Sequence, residues 1–210
     1  MSDIVQGSPE WHQLRVGKVT ASRVADVLAK VKTGESASRK NLRTELVVER
    51  LTGKKTEGFT SAAMDRGVEL EPIARAAYEV KTGKLVDQVA FVDHPTIEWF
   101  GCSPDGLVGD DGLVEIKCPN TATHLEYMEA DKPPSKYIPQ MQAQMACTGR
   151  QWCDFVSFDD RLPDGLQLFI VRVFRDDKYI LAMENEIEIF LCEVAAKVAS
   201  FNLRLEQEND

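Results

Sequence analysis

The sequence predicts an α/β (α+β) fold in which a central mixed β-sheet carries helices on both faces. Helical periodicity occupies the two ends of the chain, and short strand patterns lie between them. The chain has 210 residues, 43% of them hydrophobic and 28% charged, with no internal repeat, low-complexity tract or linker. Such values are ordinary for a globular protein of this length, so we expect residues 1–210 to form a single domain.

Six segments are predicted to be helical because apolar residues recur in them at helical spacing. They cover residues 20–30, 41–51, 61–81, 124–129, 135–147 and 176–207, the last of them long and acidic. Thr20 or Ser22 is expected to cap the first helix, and Gly53 to end the second. Pro72 is expected either to kink the third or to stand in the first turn of a new helix.

The predicted strands lie between these helices. Short apolar and β-branched runs predict strands at 85–92, 96–102, 112–118, 151–158 and 165–172. The last run is nearly all apolar and is therefore expected at the centre of the sheet. Gly109-Asp110-Asp111-Gly112 is a turn sequence, which predicts that residues 105–109 fold back antiparallel to the strand at 112–118.

This hairpin carries the residues of greatest chemical interest. Asp105 follows Pro104, and Glu115 and Lys117 lie on the second strand. Since alternate residues of a strand point to one face, Glu115 and Lys117 share a face, and the hairpin returns Asp105 to their side. Carboxylates are the hard oxygen ligands that Mg²⁺ prefers, and a lysine can orient or deprotonate water or neutralise a phosphate. The set predicts metal-dependent hydrolysis of a phosphodiester.

A second interpretation of the same residues stays open at this point. Asp-Gly pairs are common in turns, and Glu-x-Lys alternation is common on exposed strands. Either half of the pattern alone is more typical of a solvated surface than of a site. The hairpin spacing that joins the two halves favours the site.

Other polar residues are candidates to complete it. Glu71 lies beside apolar helix residues that pack on the sheet, where it can supply a third carboxylate or stand as an exposed glutamate at a helix start. Gln140, Gln142 and Gln144 interleave with apolar residues. They can bind water, metal-bound oxygens or DNA, or they can form an ordinary polar helix face.

A second group of residues has the chemistry of an anion site. Arg15 precedes the hydroxyls of Thr20 and Ser22, and an arginine with two hydroxyls at a helix N-terminus suits a phosphate. Ser103 adds a hydroxyl beside Asp105. The alternative is that Trp11 is an aromatic anchor followed by an ordinary helix cap.

The charge of the chain is distributed unevenly. The formal net charge is −9, but residues 1–60 carry +4 and residues 61–210 carry −13. A local basic surface is enough to engage phosphates, so the acidic balance does not exclude a nucleic-acid partner. The sequence has no membrane-spanning run, no signal-peptide pattern and an odd number of cysteines, which together predict a reduced, cytoplasmic location.

In combination, these motifs resemble the family of phage lambda exonuclease and the YqaJ viral recombinases, within the PD-(D/E)xK nucleases. The resemblance runs from residue 9 to residue 180. It rests on Trp11-His-x-Leu-Arg15, Thr20-Ala-Ser22, Arg66-Gly67-x-x-x-Glu71-x-x-Ala74-Arg75, Cys102-Ser-Pro-Asp105-Gly, Glu115-Ile-Lys117-Cys-Pro119, Tyr137-x-x-Gln140-x-Gln142 and Asp177-Lys178-Tyr179. The pair Ser-Pro-Asp-Gly and Glu-x-Lys-Cys-Pro is the most specific part of it.

The resemblance implies a restriction-endonuclease-like core and a Mg²⁺-dependent 5′→3′ exonuclease. Such an enzyme digests one strand of duplex DNA from a 5′-phosphorylated end to mononucleotides and leaves a 3′-overhang for strand-annealing recombination. The implied metal ligands are Asp105, Glu115, Glu71 and the backbone carbonyl of Ile116, for two Mg²⁺ ions that Mn²⁺ can replace. Lys117 would assist the attacking water, with Gln140 and Gln142 beside the metal. The implied 5′-phosphate and DNA contacts are Trp11, Arg15, Thr20, Ser22, Lys32 and Ser103.

The resemblance also implies partners: double-stranded DNA ends, two further copies of the chain in a ring-shaped homotrimer, and a phage single-strand annealing protein, in the cytoplasm of a bacterial host and away from membranes. One feature departs from the family. The loop arginine that acts as a wedge at the DNA end is not matched, and Lys32 is the nearest basic residue. A restriction- or resolvase-type endonuclease is the alternative function. A non-catalytic DNA-binding module is the third, and the complete set of Asp105, Glu115 and Lys117 speaks against it.

Overall fold

In the computed structural model, residues 4–56, 58 and 61–208 are described, and they form seven α-helices and eight β-strands. The helices are α1 (Pro9–Leu14), α2 (Val24–Leu28), α3 (Ala37–Thr52), α4 (Ala62–Thr82), α5 (Thr121–Ala130), α6 (Ile138–Thr148) and α7 (Asp177–Glu208). The strands are β1 (Val19–Thr20), β2 (Val86–Asp87), β3 (Val92–Asp93), β4 (Phe100–Cys102), β5 (Gly106–Val108), β6 (Gly112–Lys117), β7 (Trp152–Phe158) and β8 (Leu168–Phe174).

The larger sheet has five strands in the order β2-β5-β6-β7-β8. Strands β6 and β7 run parallel and the other pairs antiparallel, so the predicted mixed sheet is confirmed. The prediction that the apolar run at 165–172 is central is wrong, because β8 lies at the edge. Its side chains alternate between two cores, Phe169 and Val171 in one and Leu168 and Ile170 in the other. A strand covered on both faces is apolar wherever it lies in the sheet.

Helices cover both faces of this sheet, as predicted. On one face, Ala74 and Tyr78 of α4 pack against Val114 and Ile116 of β6. On the other, α6 and α7 contribute to the main core of the protein. Because successive side chains of β6 alternate between these layers, the strand presents its polar residues to the side on which α6 lies.

Three short strands form a smaller sheet in the order β1-β4-β3. The sequence predicts longer strands at 85–92 and 96–102, but the chain leaves the larger sheet after β2 and enters the smaller one at β3. Trp99 has a φ of 66°, in the left-handed region, and therefore interrupts the extended backbone directly before β4. Ser103 follows β4, so the smaller sheet leads the chain into the hairpin of β5 and β6.

The start of the first predicted helix differs from expectation. The segment at 20–30 begins at the end of β1, continues as a single 3₁₀ turn at Ala21–Arg23 and becomes α-helical only in α2. Neither Thr20 nor Ser22 caps a helix with its side chain; instead, the two hydroxyl oxygens lie 3.2 Å from each other. The hydroxyls bond to each other, so the predicted cap is wrong.

The other helices follow their sequence signals more closely. Gly53 ends α3 with a φ of 65°, a conformation that glycine adopts at no steric cost. Helix α4 continues through Pro72 as one element, capped by the Ser61 side chain. Of the helices in the described part of the chain, none is both long enough and apolar enough to cross a bilayer.

Candidate active site

The hairpin brings Asp105 beside the strand that carries Glu115 and Lys117. Gly106 of β5 pairs with Val114 of β6 in antiparallel register. Asp105 directly precedes Gly106, and its Oδ2 accepts a hydrogen bond of 2.6 Å from the backbone N–H of Ile116. The turn at 109–112 therefore returns the chain so that all three charged residues lie at one end of the hairpin.

Glu115 and Lys117 point away from the α4 layer, as the strand periodicity predicts. Val114 and Ile116 belong to the core cluster that α4 contacts, and the two charged residues take the opposite face. The Lys117 ammonium forms an ion pair with Oε1 of Glu115, whose side chain is fully buried. A buried carboxylate is stable only with such a partner and with further hydrogen bonds.

Two glutamines of α6 complete the surroundings of Glu115. Nε2 of Gln140 donates to Oε1 over 2.6 Å, and Nε2 of Gln144 donates to Oε2 over 2.6 Å. The glutamines are four residues apart and therefore lie on one face of the helix. The sequence offered Gln144, together with Gln140 and Gln142, only as a possible ligand of water, metal-bound oxygens or DNA. The sequence did not reveal that Gln140 and Gln144 both contact Glu115.

Gln142 does not join this cluster, and the prediction that it borders the metal is corrected. Its side chain donates to the carbonyl of Phe174 over 2.8 Å and accepts from the N–H of Asp176 over 3.0 Å. A residue two positions from Gln140 lies on a different side of a helix. Gln142 fastens α6 to the segment between β8 and α7.

Glu71 of α4 lies close enough to these groups to interact with their charges. Its Oε1 accepts a bond of 2.5 Å from Nη2 of Arg75, one helical turn away. The pKa of Glu71 is raised overall. Burial and the charge of Glu115 raise it, and Arg75 and Lys117 offset only part of that effect. The influence of Lys117 and Glu115 places Glu71 at the margin of the site rather than in a separate surface ion pair.

The electrostatics of the cluster are those of crowded acids around one cation. Burial and the neighbouring Glu115 raise the pKa of Asp105 well above its usual value. Burial lowers the pKa of Lys117, but the charges of Glu115 and Asp105 outweigh it, so that the pKa is raised overall. Lys117 is therefore an ammonium in this arrangement, and it only partly offsets the repulsion between the carboxylates.

The donor set fits a divalent cation. Asp105, Glu115 and Glu71 supply hard carboxylate oxygens, and their mutual repulsion is what a bound dication relieves. Among the described residues, no three acidic, cysteine or histidine side chains are already arranged to coordinate one ion. Both oxygens of Glu115 already have partners, Lys117 and Gln140 at Oε1 and Gln144 at Oε2, so at least one of these must give way before Glu115 binds a cation.

A second polar group lies immediately upstream of Asp105, and we call Trp11, Arg15 and Ser103 the Arg15 pocket. The Ser103 hydroxyl accepts from Nη1 of Arg15 over 3.0 Å and from Nε1 of Trp11 over 2.9 Å. The Arg15 guanidinium stacks over the Trp11 ring at 4.0 Å. Because Ser103 and Asp105 are two residues apart, the Arg15 pocket adjoins the acidic cluster.

Arg15 carries a charge that no carboxylate neutralises directly. Within the part of the chain that is described, no acidic side chain forms an ion pair with it. Burial lowers its pKa to about 10. A half-buried guanidinium that bonds only to a hydroxyl has donors to spare, which suits an anion such as a phosphate.

The other side chains predicted to contact DNA do not belong to the Arg15 pocket. Thr20 is buried at the end of β1 and Ser22 is exposed, and their hydroxyls bond to each other rather than to the Arg15 pocket. Lys32 is exposed in the loop between α2 and α3. A role for these three residues stays a prediction, as does the metal contact through the Ile116 carbonyl.

The chain is similar to a known protein family and to several solved structures. The family model of the YqaJ-like viral recombinase domain matches residues 10–151. LHK-Exo, an alkaline exonuclease from Laribacter hongkongensis, is 54% identical with a TM-score of 0.88, over 95% of this chain and 99% of that one. LHK-Exo in complex with dAMP is 55% identical with a TM-score of 0.89, over the same shares.

A more distant structure extends the comparison of folds. A phage-related exonuclease from Haemophilus somnus 129PT is 17% identical, with a TM-score of 0.68 over 90% of this chain and 98% of that one. No curated protein matches the chain significantly. The mixed sheet, its helical layers and the acidic hairpin define a nuclease of the lambda-exonuclease fold. The chain belongs to the YqaJ-like viral recombinase family, and it is an enzyme of the exonuclease class.

Proposed function

We propose that this enzyme is a Mg²⁺-dependent 5′→3′ exonuclease that digests one strand of duplex DNA from a 5′-phosphorylated end. It would release mononucleotides and leave a 3′-overhang for strand-annealing recombination. The observation that carries the proposal is the adjacency of two unlike groups: the acidic cluster of Asp105, Glu115 and Lys117, and the Arg15 pocket. The first suits a metal and the second an anion.

The roles of the protein groups follow from their positions. A divalent cation, when bound, would activate water and neutralise charge on the phosphate. Asp105 and Glu115 would hold that cation, with Glu71 at its margin. Lys117, once its ion pair with Glu115 loosens, would hold its ammonium beside the reacting phosphate and orient the water. Gln140, whose amide contacts the Glu115 carboxylate, would lie beside that cation.

The Arg15 pocket supports the proposed polarity of digestion. A terminal 5′-phosphate carries more negative charge than an internal phosphodiester, and it can approach Arg15 and Ser103 end-on. Trp11 would support the guanidinium from below. The scissile bond would then lie near Asp105, two residues further along the chain.

A timed digest of linear duplex DNA, labelled separately at each 5′ and 3′ terminus, tests this function. With Mg²⁺, we expect the 5′ labels to appear first as mononucleotides, while the 3′ labels stay in long products. Covalently closed circular duplex should remain intact. Early cleavage of the circle would instead establish the alternative, a restriction- or resolvase-type endonuclease. Inertness towards both substrates would indicate a non-catalytic DNA-binding module.

Replacing Arg15 by alanine should slow the enzyme selectively on 5′-phosphorylated ends. A charge-assisted hydrogen bond contributes roughly 1.5–3 kcal/mol, so the preference for a 5′-phosphate over a 5′-hydroxyl should fall by about 10-fold to 100-fold. The ratio of kcat/KM on the two ends measures it. Arg204→Ala, an exposed arginine near the end of α7, is the matched control. An equal loss on both ends would remove the Arg15 pocket from phosphate recognition.

The remaining parts of the proposal concern partners and metal. We infer double-stranded DNA ends as the substrate, a ring-shaped homotrimer, a phage single-strand annealing protein as partner and the bacterial cytoplasm as location. Two Mg²⁺ ions are proposed, and Mn²⁺ is expected to support activity because it accepts similar oxygen ligands. Light scattering in solution tests the trimer, since a monomeric mass at working concentration would contradict it.

Lys32 would contact the DNA end, and Lys32→Ala should then weaken end binding.

A further inference from the structure

The Glu115 carboxylate is held by two amides that are not equivalent. Each oxygen accepts one bond of 2.6 Å, Oε1 from Gln140 and Oε2 from Gln144. Oε1 also takes the ion pair with Lys117. One oxygen therefore has two donors and the other has one.

The two amides also differ in exposure. The Gln144 side chain is fully buried, whereas Gln140 is only partly buried. Oε1 of Gln144 lies 4.0 Å from the sulfur of the buried Cys153, at the limit of a weak thiol hydrogen bond. This neighbour and Glu115 fix the orientation of the Gln144 amide, because the reversed amide would turn its oxygen towards the carboxylate.

Fixing one oxygen determines where the other points. The terminal torsion of a glutamate is broad, so an unsupported carboxylate rotates easily. The buried Gln144 holds Oε2 on the interior side, and Oε1 then faces Lys117. Gln140 and Lys117 both contact Oε1, so a cation that binds this oxygen must displace at least one of them.

We propose that Gln144 is the positioning residue that holds the Glu115 carboxylate in its metal-binding orientation, and that Gln140 is the amide that gives way when a cation arrives. This inference rests on the proposed function, since it takes Glu115 as a metal ligand. Gln144 touches neither substrate nor metal. Groups that orient metal ligands commonly change metal affinity by about 10-fold to 100-fold when they are removed.

The test uses the full-length chain without DNA. The affinity for Mn²⁺ is measured by electron paramagnetic resonance of the free ion in wild type, Gln144→Met and Gln142→Met. Methionine has nearly the shape of glutamine but cannot donate. Gln142 is the matched control, because it lies on the same helix, is also buried and bonds only to Phe174 and Asp176.

We expect Gln144→Met to bind Mn²⁺ about 10-fold to 100-fold more weakly than wild type, with Gln142→Met within about twofold of it. Gln140→Met should weaken binding less than Gln144→Met does. In nuclease assays, the half-saturating Mg²⁺ concentration of Gln144→Met should rise by a similar factor, while kcat at saturating Mg²⁺ recovers most of its wild-type value. Equal Mn²⁺ affinity in Gln144→Met and Gln142→Met would overturn the inference.

Three further outcomes are distinguishable. Should Gln144→Met fail to fold, Gln144→Asn keeps an amide but withdraws it from Glu115 by one methylene, and the same loss of Mn²⁺ affinity is expected. Should the wild type bind no divalent cation and cleave no DNA, the proposed function fails and this inference falls with it. Should the wild type bind and cleave while both Gln144 variants match wild type, only the inference fails.

Discussion

Replacing Asp105 by asparagine is expected to abolish most nuclease activity without destabilising the metal-free protein. Asparagine keeps an oxygen that can accept from the Ile116 N–H but removes a charge. Since burial and Glu115 raise the pKa of Asp105, the charged form is disfavoured in the folded state, and removing it should leave the free energy of unfolding equal or higher. The activity should fall by at least about 10³-fold, because metal-bound charge stabilisation is worth several kcal/mol.

The measurement combines a rate with a melting curve. Wild type should gain thermal stability when Mg²⁺ or Mn²⁺ is added, because a ligand that binds only the native state stabilises it. Asp105→Asn should lose this gain and the activity together. Asp110→Asn, in the exposed turn of the same hairpin, is the control and should behave as wild type. A variant that retains metal-induced stabilisation and wild-type activity would show that Asp105 is not a ligand.

Lys117→Met should lose roughly 10²–10⁴ in rate if the ammonium acts in proton transfer or in orienting water. The pKa of Lys117 is raised by Glu115 and Asp105, so in the metal-free site it holds its proton firmly and cannot serve as a base there. A bound cation would weaken the hold of both carboxylates. Single-turnover rates on linear duplex at saturating Mg²⁺ give the effect on the chemical step.

The same substitution has a structural consequence that must be separated from the rate. Glu115 is fully buried and would lose its cationic partner, which destabilises the metal-free protein. Lys117→Arg is expected to keep the ion pair and the fold, but its guanidinium stays protonated near neutral pH and cannot act as a base. Slow cleavage by folded Lys117→Arg would support proton transfer; near-normal cleavage would leave only an electrostatic role. Lys81→Met, exposed at the end of α4, controls for charge loss, and a wild-type rate for folded Lys117→Met would exclude Lys117 from the mechanism.

The sequence predicted the arrangement of the acidic hairpin because that arrangement is local. Asp105, Glu115 and Lys117 belong to one hairpin, and a turn signal together with strand alternation is enough to predict that they lie close together. The helix stop at Gly53 was equally accessible, since glycine in the left-handed region is a backbone requirement rather than a packing result.

What the sequence missed depends on contacts between distant segments. The rotation of α6 against β6 determines that Gln144 contacts Glu115 and that Gln142 does not, and nothing within the helix itself reveals that rotation. The edge position of β8 depends on which strands pair with each other. An apolar run indicates that both faces of a strand are covered, but it does not indicate whether the strand is central or at the edge. The pairing of Thr20 with Ser22 followed from the break in helix geometry at 21–23.

The short segment Ser103-Pro104-Asp105 has a consequence for the length of each product. Its ends belong to the Arg15 pocket and to the acidic cluster, and two residues of chain span at most about 7 Å. Proline fixes the backbone between them, and the side chain of Gln6 holds its carbonyl over 2.9 Å. If the Arg15 pocket holds a terminal 5′-phosphate and the acidic cluster holds a cation, this short spacing would bring the first linkage of the strand, rather than a later one, to the point of cleavage.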